Sequence, residues 1–137
     1  MLLEDKQLER KIICPEGWNA IYFPAHVVTD PKRFVFCSGM VSKDEKTKVL
    51  HAGDIVGQSI KALDNVEAAL KEAGMDLSKV VRMNYYTTDV QGFIGKAEAI
   101  IGERLKKAGC KPSSTLLGVV ALANQDYIIE IEAIAAD

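Results

Sequence analysis

The stretch "DIVGQSIKALDNVEAALKEAGMDLSKVVRMNYYTTD", residues Asp54 to Asp89, decides the fold because its hydrophobic period changes halfway along. In the first half Val56, Ile60, Leu63, Val66 and Leu70 recur at helical spacing, with Asp54 as N-cap and Gly74 as C-terminal stop. In the second half β-branched and aromatic residues crowd together, and "KVVRMNYYTTD" reads as a strand. Tyr85 and Tyr86 then point to opposite faces, one toward a core and the other toward a cleft.

Outward from this unit, "GFIGKAEAIIGERLKKAG" (residues 92–109) predicts a second helix, with Phe93, Ala97, Ile100, Ile101 and Leu105 on its apolar side. Its internal glycines weaken it slightly. Strands are predicted at "RKIIC", "NAIYF", "RFVFCSG", "STLLGVVAL" and "YIIEIEAIA". Pro24 and Pro31 mark breaks or edges among the early strands, and "VSKDEKTKVLHAGD" is a charged loop before the first helix. The order is strands, helix, strand, helix, two strands, with no linker. It predicts one α+β domain over residues 1–137, with two helices on one face of a mixed sheet.

Composition narrows the function. The 137 residues are 48% hydrophobic and 26% charged, an ordinary globular profile. A net charge of −2 and a pI near 5.7 give no basic field for nucleic acid, so no nucleic-acid partner is expected. No apolar run is long enough to span a bilayer, and the acidic residues of "MLLEDKQLER" are not those expected of a secretory leader. Cys14, Cys37 and Cys110 form no paired motif, which points to a reducing, cytoplasmic setting.

Both faces of the predicted strand "STLLGVVAL" (residues 114–122) are apolar. Two helices cover only one face of a sheet, so the other is expected to be buried against another subunit.

Several residues invite a chemical reading. Glu130 and Glu132 lie two apart on a strand, so both carboxylates share a face about 6.5–7 Å apart. They are either a solvated rim or a cleft pair whose pKa is raised by proximity and burial, suited to moving a proton or positioning water. His26 and His51 have no second ligand at metal spacing, so no metal site is expected. Ser113 and Ser114 lack the G-x-S-x-G frame of an activated nucleophile, though a Ser-His-Asp arrangement stays open at this point. Cys110 beside Lys111 reads as an inert thiol. No phosphate loop or dinucleotide fingerprint occurs, and no cofactor is expected.

Taken together, "FVFCSGM", "GQSIKALDNVEAALKEAGMDLSKVVRMNYYTTDVQGF" and "IIEIEAIA" resemble the Rid (reactive intermediate deaminase, YjgF-like) family over residues 12–136. The resemblance implies a chorismate-mutase-like α+β fold and a homotrimer whose sheets form a central barrel, with small-molecule sites in the subunit clefts. It also implies roles for particular residues. Glu130 matches the glutamate that orients water, and Ser38 with Gly39 matches the S-G pair that holds substrate. The carboxylate-gripping arginine stands two residues after a strand proline in deaminating members, and counting from Pro112 places Ser114 there. A serine offers one neutral donor where arginine offers a charged fork, so Ser114 reads as a substitution rather than a nucleophile. The family's helix asparagine falls on Ala97, and its N-terminal tyrosine falls at Phe23, with Tyr22 adjacent.

The resulting expectation is a trimer that binds a small metabolite between subunits and hydrolyses an imine- or enamine-type intermediate. Glu130 is its catalytic residue, and Ser38, Gly39, Ser114 and Phe23 contact substrate. Standard 2-imino acid deamination is expected to be weak unless Arg82 or Lys111 replaces the missing arginine. The alternatives are a non-catalytic sensor or partner-binding trimer using the same cleft and, least favoured, an endoribonuclease.

Overall fold

The computed structural model describes residues 9–18 and 23–137. Helix α1 (Ile55–Glu72) starts where Asp54 Oδ1 accepts the Gly57 amide at 3.0 Å. It stops at Ala73, after which Gly74 at φ +75° turns the chain through the left-handed region that glycine enters without strain. Both ends fall where the sequence places them. The buried face, however, is rotated from the expected stripe. Gln58 and Ser59 are fully buried, whereas Ile60 is 36% exposed. Burial of these polar groups is tolerated because each is satisfied. Gln58 Nε2 donates to Asp126 O at 2.7 Å, Gln58 Oε1 accepts from Ile128 N at 2.8 Å, and Ser59 Oγ donates to Ile55 O at 2.6 Å.

The strands are β1 (Glu9–Ile13), β2 (Ala25–Thr29), β3 (Phe34–Val41), β4 (Val80–Thr87), β5 (Ser113–Gly118) and β6 (Ile129–Ala136). Four form a mixed sheet in the order β3-β6-β4-β5, antiparallel at β3/β6 and β6/β4 and parallel at β4/β5. The parallel pair needs a crossover, which the second helical segment supplies. That segment is not one regular helix. It runs as α2 (Val90–Gly92), a π turn at Phe93–Ala97 and α3 (Glu98–Lys107), and Asp89 Oδ1 caps it at Gly92 N. Phe93, Ala97, Ile101 and Leu105 face inward at steps of four, while Ile100, read as apolar-side, is 46% exposed. Met83, Tyr85, Ile129, Ile131, Ala133 and Ala135 meet α1 and this segment in one core. The α+β architecture, helices on one side of a mixed sheet, is as expected.

Two strand readings need correction. Ala25–Thr29 is a strand that is absent from the predicted set, while the prolines stand as the expected breaks at its borders. Pro24 and Pro31 lie outside its ends, where a missing N–H costs no ladder bond, and β2 pairs with β1 in a separate two-stranded ribbon. Residues 19–22, most of the predicted "NAIYF" strand and including Tyr22, lie outside the described residues. The strand predicted to run to Leu122 ends instead at Gly118. Val119 N still reaches Thr87 O at 2.9 Å, but β4 ends there, and Val120 stands fully exposed. Among the described residues no helix is long and apolar enough to cross a membrane.

Candidate functional site

Ser114 is in register with Met83, which places it on the helix-facing side of the sheet. Together with Phe23, Tyr85, Phe93 and Leu116 it lines a cleft of about 530 Å³ between β5 and α3, rimmed by Glu98, Lys106 and Lys111. The floor is aromatic, with the Tyr85 and Phe93 rings 5.4 Å apart. Burial pushes the Tyr85 phenol well above its ordinary pKa, and its hydroxyl turns to Met83 Sδ at 3.0 Å, so it is a wall and not an acid. Ala97 is fully buried in the π turn. Phe23 and Ser114, predicted as partners, are thus brought to one cavity.

Ser113 explains how Phe23 is held there. Its Oγ donates to Phe23 O at 2.9 Å and lies 2.9 Å from His26 Nδ1. Phe23 has φ +44°, a conformation that costs a bulky residue about 1–3 kcal/mol, and the Ser113 contact fixes it. Because the only proton of the hydroxyl is given to Phe23 O, His26 Nδ1 is the donor in the second contact. That arrangement is a staple between β5 and the chain leading into β2. It is the reverse of a histidine withdrawing a proton from a nucleophile, and the open Ser-His-Asp reading is not met at Ser113.

Glu130 is elsewhere. It pairs with Tyr86, and Tyr86 and Met83 are an odd number of residues apart on β4, so Glu130 and Ser114 occupy opposite faces of the sheet. Within one chain the two residues therefore belong to different surfaces. Glu130 is grouped instead with Ser38 and Gly39. The β3/β6 register shifts between Cys37 and Met40, so both of those face the core and the bulge turns Ser38 and Gly39 outward. The Glu130 carboxylate lies directly over Gly39, since a Cβ there would stand 1.9 Å from Glu130 Oε1. Only glycine leaves that space.

Glu132, the second glutamate, is in a network of its own. Its Oε1 accepts from the Tyr86 hydroxyl and from Asn84 Nδ2 at 3.0 Å. The Tyr86 bond, then the Asn84 bond, outweigh partial burial and hold its pKa below the usual carboxylate value, and Tyr86 is raised in return. The reading of a cleft carboxylate with a raised pKa does not apply to Glu132, where hydrogen bonding wins over desolvation. Arg82 shares this face and donates to Thr115 Oγ1 at 2.5 Å. Of the two cations that could replace the missing arginine, Lys111 lines the Ser114 cleft and Arg82 does not.

Cys110 is buried, and burial pushes its thiol up to about 12, which is consistent with an unreactive thiol. Among the described residues no three of His, Cys, Asp or Glu gather as a metal cluster. Gln58 and the Asn84–Tyr86–Glu132 network were missed by the sequence reading. A glutamine on the inward side of an apolar helix was the available signal for the first.

Residues 20–137 match the family described as Endoribonuclease L-PSP. A RutC family protein of Pyrococcus horikoshii is 34% identical over 102 residues, covering 74% of this chain and 78% of its own. The RutC family protein UK114 of Drosophila melanogaster is 33% identical over 128 residues, covering 92% and 88%. Among solved structures, YyfB of Yersinia pestis, of the Rid protein family, is similar at TM-score 0.82 and 26% identity over 93% of this chain and 98% of that one.

Proposed function

The chain belongs to the endoribonuclease L-PSP (YjgF/RutC/Rid) family, and from that premise we propose that it binds a small metabolite in clefts completed between copies of itself. One observation carries this reading. The Phe23–Ser114 cavity and the Ser38–Gly39–Glu130 group lie on opposite faces of one sheet, so one chain offers two half-sites and no whole one. A closed ring of three copies, sheet faces inward, brings one half against the other and covers Phe36 and Leu117, which are 72% and 49% exposed.

The chemistry that fits is hydrolysis of an enamine or its imine. An enamine first takes a proton at carbon to become the imine. Water then adds to the C=N carbon while Glu130 carries one water proton to nitrogen. The resulting carbinolamine gives its hydroxyl proton, again through Glu130, to the amine as the C–N bond breaks, leaving a C=O group and ammonia. Ser38 and the Gly39 backbone hold a polar group of the substrate, and Phe23 and Ser114 contact its body. Lys111 supplies the positive charge for a carboxylate, weaker than an arginine fork because it is a flexible point charge. The 3-aminoacrylate deaminase RutC of Acinetobacter baylyi, 29% identical over 82 residues, carries a reaction of this class in its name. A reducing cytoplasm suits the free, buried thiols of Cys37 and Cys110.

A second reading, a sensor that binds without turnover, is favoured by Ser114 alone, since it leaves the cleft without a fixed carboxylate clamp. A net charge of −2 weighs against RNA cleavage. Sedimentation at low micromolar concentration, paired with ammonia release from 3-aminoacrylate, separates these. A trimer with turnover that Glu130→Ala abolishes supports the enzyme, saturable binding without product supports the sensor, and a stable monomer sinks both.

A further inference from the structure

A second cleft adjoins the Ser114 cleft at Lys111 and lies between the β1/β2 ribbon and the turn that leads into β4. Its volume is about 400 Å³, and its walls are Arg10, Ile12, His26, Ser78, Val80 and Lys111, with Gly109 at one end. Three of these side chains are cations or can become one, and no carboxylate is among them. Each comes from a different element: Arg10 from β1, His26 from β2, Lys111 from the turn before β5. Their convergence is therefore produced by the tertiary fold and is not a local run of basic sequence.

The cluster is braced. Arg10 donates one guanidinium nitrogen to Ser78 O at 2.5 Å, which fixes its direction while leaving further donors. His26 is pinned at Nδ1 by Ser113. Asp76, which is not in the cleft lining, has its Oδ1 accepting from the amide and hydroxyl of Ser78, and the positive field of Arg10 also acts on it. Burial and the positive field of Arg10 depress the His26 pKa, against a backbone hydrogen bond with Lys111 that raises it. Two or three cationic groups share the cleft, and Asp76, the acid that Arg10 feels, lies outside the lining, so an anion between the cations relieves their mutual repulsion.

We propose that this cleft is a binding site for a phosphate dianion, the phosphoryl group of a small metabolite or free phosphate, held by Arg10, Lys111 and His26. Two cations match two negative charges, and the guanidinium plane suits bidentate contact with phosphate oxygens. Ile12 and Val80 offer apolar contact to whatever the phosphoryl group is attached to. The site does not depend on the proposed chemistry at Glu130, and Lys111 is the one residue common to both.

The test is a proton NMR titration of the intact protein with inorganic phosphate at constant ionic strength, set with sodium chloride. The chain has two histidines, so the imidazole resonances separate readily. The expected result is saturable movement of the His26 resonances and a higher His26 pKa with phosphate bound, while those of His51, in the turn before α1, stay in place. Arg10→Ala weakens the phosphate affinity about tenfold or more, as loss of a charge-assisted contact should. The same variant keeps wild-type ligand binding at the Ser114 cleft, which separates failure of this site from failure of the proposed function. A phosphorylated three-carbon acid, titrated alongside phosphate, distinguishes the sources. Tighter binding than phosphate assigns a phosphometabolite, and equal binding assigns free phosphate. Absence of saturation at millimolar phosphate, or an unchanged affinity in a folded Arg10→Ala protein, overturns the proposal.

Discussion

A single added methyl tests the geometry of the glutamate-side half-site. Gly39 lies in β3 and does not adopt positive φ, so alanine meets no backbone penalty there and restricts the unfolded chain slightly, a gain of about 0.4–1 kcal/mol. The new Cβ, however, would stand 1.9 Å from Glu130 Oε1, 2.6 Å from Cδ and 2.9 Å from Cγ. Ordinary contact begins at 3.4 Å, so the carboxylate oxygen must withdraw by roughly 1.5 Å. The obstacle is the far end of a flexible side chain, and a changed rotamer costs about 0.5–1.5 kcal/mol. The two terms nearly cancel, and Gly39→Ala should melt within a few degrees of wild type. Function should not survive so well. Misplacing a reacting group by about 1 Å costs on the order of 100-fold, so kcat/KM for 3-aminoacrylate should fall as far as it does in Glu130→Ala. Thermal melts and ammonia-release kinetics on the same preparations provide both numbers. A folded Gly39→Ala protein with wild-type kinetics would falsify the placement of Glu130 in the site.

Three further outcomes follow from the residues described. Ser114→Arg should raise turnover of 2-iminobutanoate from a low wild-type level, only partly because Ala97 and Phe23 also differ from the deaminating pattern, while Lys111→Ala should weaken carboxylate ligands about tenfold; unchanged values in both variants place the carboxylate elsewhere. With its thiol pushed up to about 12, Cys110 is ionised in roughly one molecule in 10⁴ at pH 8. Iodoacetamide at that pH should therefore label the part-exposed Cys14 and spare Cys110, and mass spectrometry that finds Cys110 labelled in the folded protein contradicts its burial. Glu132 has a folded pKa below its ordinary value, so its contribution to stability is complete above about pH 4.5 and disappears as pH falls through the lower folded value. Melting temperature should drop across that acid window, and less steeply in Tyr86→Phe, which lacks the main hydrogen bond holding the pKa down; identical profiles for the two proteins would exclude the Tyr86 contact as the cause.

The parts legible in the sequence were those fixed by local chemistry. Asp54 and Gly74 bound α1 because capping and left-handed turning are properties of single residues and their neighbours. Alternation alone puts Ile129, Ile131 and Ala133 on the face opposite Glu130 and Glu132, and those three lie in the core. What the sequence missed or left open was set by pairing. The end of β5 at Gly118 depends on where β4 stops, which no residue of "STLLGVVAL" encodes. The opposite facing of Ser114 and Glu130 depends on two registers at once, and a slip of one residue in either would have reversed it. The burial of Gln58 depended on acceptor and donor groups near residues 126–128, far away in sequence. The family resemblance supplied the candidate residues, and the sheet sorted them into halves.

That sorting has a genetic consequence. If each chain gives its Ser114 cleft to one neighbour and its Glu130 group to the other, then a chain damaged in only one half remains a competent donor of the other. Ser114→Trp, which fills the cleft it lines, and Glu130→Ala proteins, each inactive alone, should complement when unfolded and refolded together. Random assembly from equal amounts puts an intact cleft against an intact glutamate in about one site in four, so roughly a quarter of wild-type activity should return. Two alleles crippled in the same half should recover none.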